Sequence, residues 1–210
     1  MIRGLEKGQK PALIISECQR SMIDPEIQDR ELSRQAVSRG MVANIASLAE
    51  AFRAADAPVI HCTLVPATDY VDFPSNCAMW ANLKRGGHLR RGQPGVDIIE
   101  GLTPQPQDIV SERRGGLSGF HATELERTLR ALDVQTVVLT GVSTNLALMA
   151  LAIEAVNRLF QVVLPEDCTA GGDLEGHDTQ LRLHFPLLAT VTRSASVAEA
   201  VALRGWSNRS

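Results

Sequence analysis

Six short apolar runs, separated by stretches with helical spacing, constrain this chain more than any single motif. They are "PALIISEC" (residues 11–18), "APVIHCTLV" (57–65), "DIVSE" (108–112), "VQTVVLTGV" (134–142), "FQVVLPEDC" (160–168) and "LLATVT" (187–192). Each has the length of a strand, and the longer ones are apolar on both parities, as strands covered on both faces are. Between them, Met41, Ile45, Leu48 and Phe52 fall on one helical face. Thr123 and Glu126 match a capping box, with Leu125, Leu129 and Leu132 on the inner face of the helix it would start. "STNLALMALAIEAV" reads as a helix directly after the clearest strand. Further helices are expected near residues 176–185 and from Ser196. Residues 66–107, rich in Gly, Pro, Asn and Asp, read as irregular.

Strand–helix alternation with apolar strands predicts an α/β fold: a three-layer, doubly wound, mostly parallel six-stranded sheet of Rossmann-like topology. The expected strand order is 3-2-1-4-5-6, in a single domain over residues 1–210. That length is sufficient for a full core. In such sheets ligands bind beyond the carboxyl ends of the strands. The residues that matter are therefore Glu17, the segment after Val65, "ERRGG" after Val110 and "GVSTN" after Thr140.

Several function classes lose support. The formal net charge is −3, which gives no reason to expect nucleic acid as a partner. No apolar run approaches the length of a membrane span, and "MIRGLEKGQK" has no apolar signal core, so a cytoplasmic protein is expected. Cys18, Cys62, Cys77 and Cys168 are scattered and read as free thiols. Dinucleotide, P-loop, nucleophile-elbow and HExxH motifs are absent from the sequence. The histidines match no metal pattern, so no metal and no cofactor are expected.

Three stretches in order resemble the isochorismatase-like hydrolases, also called cysteine hydrolases. "ALIISECQ" resembles the family's first strand, which ends in an aspartate followed closely by glutamine. "DIVSERRGGLSGFHATELERTL" resembles its third strand and loop, where a lysine stands six residues before a phenylalanine. "TVVLTGVSTNLALMALAIEAVNRLFQVVLPEDC" resembles its longest signature. The resemblance implies an aspartate–lysine–cysteine triad and an oxyanion hole of backbone amides beside a non-proline cis peptide in the "GVST" turn. It also implies association through helices flanking the sheet, hence a homodimer or larger.

This chain departs at all three triad positions. By that spacing Glu17 stands at the aspartate position, Arg114 at the lysine position and Ala147 at the cysteine position. Glu17 keeps a carboxylate one methylene further out. Arg114 would keep a charge and offer a planar fork for a substrate carboxylate. Ala147 removes the nucleophile, since a methyl group cannot attack, so cysteine-type amidase activity is expected to be absent. Ser143, Thr144 and Asn145 are expected to cap the following helix and to help bind a ligand. The basic stretch "NLKRGGHLRRGQPG" (82–95) reads either as a solvated loop or as a flap that selects anions.

Three functions stay open. The first is a hydrolase of a small, anionic molecule with Glu17 as acid/base and Arg114 as anchor; this includes the protonation-led cleavage of a vinyl ether that the resemblance implies. The second is an inactive ligand-binding protein on the same scaffold. The third is an interaction subunit with an incidental pocket.

Overall fold

The computed structural model describes residues 2–203. Its sheet contains β1 (Pro11–Ser16), β2 (Val59–Leu64), β3 (Ile109–Arg113), β4 (Thr136–Val142), β5 (Gln161–Pro165), β6 (Thr169–Ala170) and β7 (Thr190–Thr192). The order is β3-β2-β1-β4-β5-β7, with every ladder parallel; the two-residue β6 pairs with the end of β4. The expected order 3-2-1-4-5-6 is therefore found, with β7 as the sixth run and β6 as an addition.

Strand alternation divides the core into two layers. Leu13 and Ile15 of β1 pack with α3 (Met41–Ala54) and α9 (Ser194–Ala202). Ala12 and Ile14 face α5 (Leu125–Ala131), α6 (Ala147–Asn157) and α8 (Phe185–Leu188). Met41, Ile45, Leu48 and Phe52 are all buried, as their spacing predicts. Burying each such side chain contributes roughly 1.5–3 kcal/mol before entropy is counted. Among the described residues no helix is long and apolar enough to cross a membrane.

Several elements differ from expectation. Short helices α1 (Arg20–Ile23) and α2 (Glu31–Ser38) follow β1, and α4 (Ala78–Gly86) lies inside the stretch read as irregular. The helix expected from Thr123 begins at Leu125 without a capping box. The Thr123 hydroxyl donates to the Gly119 carbonyl at 2.7 Å, and Glu126 receives Arg158 at 2.8 Å. The helix near residue 180 is α7 (Leu174–Thr179), which runs through a wide turn into α8.

Two contacts set the carboxyl edge of the sheet. The Gln19 amide donates to the Leu64 and Val96 carbonyls at 3.0 and 2.8 Å and accepts the Leu64 amide at 2.8 Å. It thereby ties the ends of β1 and β2 to the 94–99 segment. Gly141, at φ +95°, lets β4 pass close to β1: a β-carbon there would lie 2.1 Å from the Ser16 carbonyl oxygen.

Candidate active site

Glu17 follows β1 immediately. Its backbone takes the left-handed conformation (φ +51°), and its amide still donates to the Cys62 carbonyl at 2.9 Å. The next residue therefore leaves the sheet, and the Glu17 side chain sits at the strand's carboxyl end, only 8% exposed. Its partner is Arg113, the last residue of β3. Nη2 of Arg113 donates to Oε1 of Glu17, Nε donates to the Gly116 carbonyl at 3.1 Å, and Nη1 is buried without a partner. Two charges removed from water at this cost persist only when matched to one another.

Arg114 does not take part. It lies 56% exposed and donates to Asp72 at 2.7 Å. The reason is alternation: Ile109, Ser111 and Arg113 are the better-buried parity of β3, while Val110 and Glu112 face outward. Arg114 continues the outward parity. The expected anchor is thus displaced by one residue. The Glu112 charge, which already marks its own parity as solvent-facing, was the signal that could have located it.

The turn into α6 lies beside this pair. The Val142–Ser143 peptide is cis, in the turn where the resemblance implies one. The Leu146 and Leu148 amides donate to the Ser143 carbonyl at 3.2 and 3.0 Å. No side chain caps α6. Thr144 is wholly buried, its hydroxyl 3.0 Å from Nδ1 of His177, and the Asn145 side chain accepts the Gly172 amide at 3.0 Å. The capping expected of Ser143, Thr144 and Asn145 is therefore not made; the Thr144 and Asn145 side chains bond the β6–α7 segment instead. Ala147 opens α6, and its amide, like other first-turn amides, has no intrahelical acceptor.

These groups border a cavity of about 390 Å³. Glu17, Ser143, Asn145, Leu146 and Ala147 form its floor; Thr144 and Arg113 are not on its wall. Met22, Gln28, Arg30, Glu31 and Leu32 enter from α1 and α2, and Met79, Trp80, Leu83, His88 and Leu89 from α4 and the residues after it. Phe73 supports Trp80 edge-on, with ring centroids 5.1 Å apart, without reaching the cavity. Of the basic stretch only His88 lines the cavity among its charged or titratable residues. Lys84 and Arg90 bond backbone carbonyls, Arg85 bonds Asn82, and Arg91 pairs with Glu112. The cation that does reach the cavity is Arg30, which sequence patterning missed because it stands just before α2, a short helix whose buried apolar residues are only Leu32 and Ala36. Burial lowers its pKa, and the nearby Glu17 charge opposes that shift.

None of the four cysteines lines the cavity. Burial raises the thiol pKa of Cys18, and pushes those of Cys62 and Cys168 up to about 12. Such thiols are neutral and poor nucleophiles. Cys77 is exposed. Among the described residues no group of three or more His, Cys, Asp or Glu side chains is arranged to hold a metal ion.

The sequence profile of the isochorismatase domain matches residues 11–196. Ureidoacrylate amidohydrolase of Agrobacterium fabrum is 29% identical over 144 residues, which cover 63% of this chain and 63% of that protein. Maleamate amidohydrolase of Pseudomonas putida is 31% identical over 90 residues, 43% of this chain and 42% of the relative. The chain spans between 31% and 63% of the length of the curated relatives it matches. Among solved structures, a cysteine hydrolase from Pseudomonas syringae pv. phaseolicola superposes with a TM-score of 0.81 at 24% identity, covering 96% of both chains. N-carbamoylsarcosine amidase from Thermoplasma acidophilum superposes with a TM-score of 0.69 at 27% identity, covering 89% of this chain and 97% of that one.

Proposed function

Because the chain belongs to the isochorismatase domain family, we propose that it is a hydrolase that acts on a small, anionic molecule through water activated by Glu17, with no cysteine nucleophile. The observation that carries this reading is the pairing of a carboxylate and a methyl group on one cavity floor: Glu17 faces the cavity, and Ala147 stands at the start of α6.

The chemistry is that of a general base. A general base needs an unprotonated oxygen within reach of the attacking water. Arg113 fixes one Glu17 oxygen and leaves the other for a water molecule. As that water attacks an ester-like carbonyl, its proton passes to Glu17, and the carbonyl π electrons move onto oxygen. The Ala147 amide, at the start of α6 and without an intrahelical acceptor, is the donor available to that oxyanion. Collapse expels the leaving group, which takes the proton back from Glu17. Vinyl-ether cleavage led by protonation fits this paired carboxylate less well than base-assisted attack. The relatives' names describe amide hydrolysis. Ala147 offers no thiolate for an acyl-enzyme, so unactivated amides such as nicotinamide are not expected to be turned over.

The test is hydrolysis of short carboxylate-bearing esters by wild type, Glu17→Gln and Ala147→Ser. Glu17→Gln should lose at least about a hundredfold in kcat, the usual contribution of a positioned base. Glu17→Gln with wild-type rates would reject the mechanism. The absence of turnover on every ester, together with tight ligand binding, would establish the second reading, a non-catalytic binding protein. The buried Glu17–Arg113 pair favours that second reading to the extent that it is purely structural.

A further inference from the structure

We propose that Arg30 is the anion anchor of the cavity and selects ligands that carry a carboxylate on an apolar body. This rests on the cavity being the ligand site, as the hydrolase reading holds, but not on catalysis. Arg30 stands between α1 and α2, and its position is fixed twice. Its amide donates to the Ser33 hydroxyl at 3.1 Å, and its Nη2 donates to the Ser21 and Met22 carbonyls at 3.2 and 3.3 Å. The guanidinium is thereby held at the cavity wall in one orientation.

Its charge, however, is unmet. Among the described residues Arg30 makes no ion pair, whereas Arg113 is paired with Glu17. Its Nε is buried with no hydrogen-bond partner. Glu17 is near enough to favour the Arg30 charge but is itself bound to Arg113; Glu31, the other carboxylate on the wall, accepts from Gln35 at 3.2 Å. A half-buried guanidinium without an anion is an unfavourable arrangement that a bound carboxylate would relieve by charge-assisted bonding. The same wall carries the apolar side chains of Met79, Trp80, Leu83 and Leu89. An aromatic or branched aliphatic carboxylate satisfies both halves of the wall at once.

Arg30 differs in kind from the surface arginines. Arg114, the residue that spacing alone nominates as the anchor, is already neutralised by Asp72 outside the cavity. The ligand's charge should therefore be read by α1–α2, not by the β3 loop.

Equilibrium binding tests this without any turnover. Benzoate and its neutral isostere benzamide are titrated by calorimetry into wild type, Arg30→Gln, Arg30→Lys and Arg114→Gln. Wild type and Arg114→Gln should prefer benzoate by at least about tenfold, the discrimination expected of one charge-assisted contact. Arg30→Gln should bind the two alike, and Arg30→Lys should keep part of the preference. A crystal of wild type with benzoate should place the carboxylate in contact with the Arg30 guanidinium, which keeps the test independent of how the variants fold. No benzoate binding, equal binding of both ligands to wild type, or a preference that survives Arg30→Gln would overturn the proposal. A hydrolysis defect in Glu17→Gln that leaves benzoate selectivity intact would separate this proposal from the catalytic one.

Discussion

At the scale of single residues, the site turns on one buried ion pair and on which of two adjacent arginines makes it. Arg113 is 2% exposed and bound to Glu17, whereas Arg114 faces solvent with Asp72. Removing one member of a buried pair strands the other charge, at a cost of about 3–5 kcal/mol, whereas an exposed pair contributes about 1 kcal/mol or less. Arg113→Met should therefore lower the urea unfolding free energy by about 3 kcal/mol or more, and Arg114→Ala by less than about 1 kcal/mol. Combining Glu17→Met with Arg113→Met should recover most of the loss. Equal effects of the two single arginine variants would show that the pair is not where the structure puts it. Glu17 was legible in the sequence as a charge at the end of an apolar strand. Arg113 was not, because counting back from Phe120 ignores the parity of the strand that delivers the side chain.

At the scale of elements, the sheet was readable and the helices over its carboxyl edge were not. Strands β1, β2 and β4 are buried along their whole length and so announce themselves as apolar runs. Helix α2 buries Leu32, Ser33, Gln35 and Ala36, and α4 buries only Trp80. Helices that cover a cavity rather than a core are short and bury few apolar side chains, so a search for long apolar faces passes over them. Arg30 and most of the cavity's lid were lost with them. The β6–α7 junction carries a second element-scale consequence. His177 is fully buried against Thr144, its Nε2 has no partner, and burial together with the charge of Arg39 pushes its pKa down to about 4. The native state therefore resists a proton that the unfolded chain accepts near its ordinary histidine pKa of about 6.5. Stability from this residue is full above that value and declines as pH falls toward about 4. The decline should be on the order of 3 kcal/mol in wild type and absent from the pH profile of His177→Asn, measured by urea midpoints. Parallel profiles for the two proteins would contradict that origin.

At the scale of the whole molecule, the outer face of α6 and α8 leaves apolar surface uncovered. Ile153 on α6 is 44% exposed, Leu187 on α8 81% and Leu159, in the turn after α6, 87%; α6 and α8 pack side by side. We propose that this face is where copies associate, so light scattering at micromolar concentration should give at least twice the chain mass of 22.7 kDa. Leu187→Asp should shift it toward the monomer; a wild-type monomer would reject the assembly. Hydrolysis by direct water attack at Glu17 is decided by a single turnover in water enriched in heavy oxygen. The substrate is a nitrophenyl ester of a short dicarboxylic acid, and product and intact protein are weighed together. With water as the nucleophile, the label appears in the released acid while the protein mass stays unchanged. Label in the protein, or an acyl adduct on it, would exclude direct water attack.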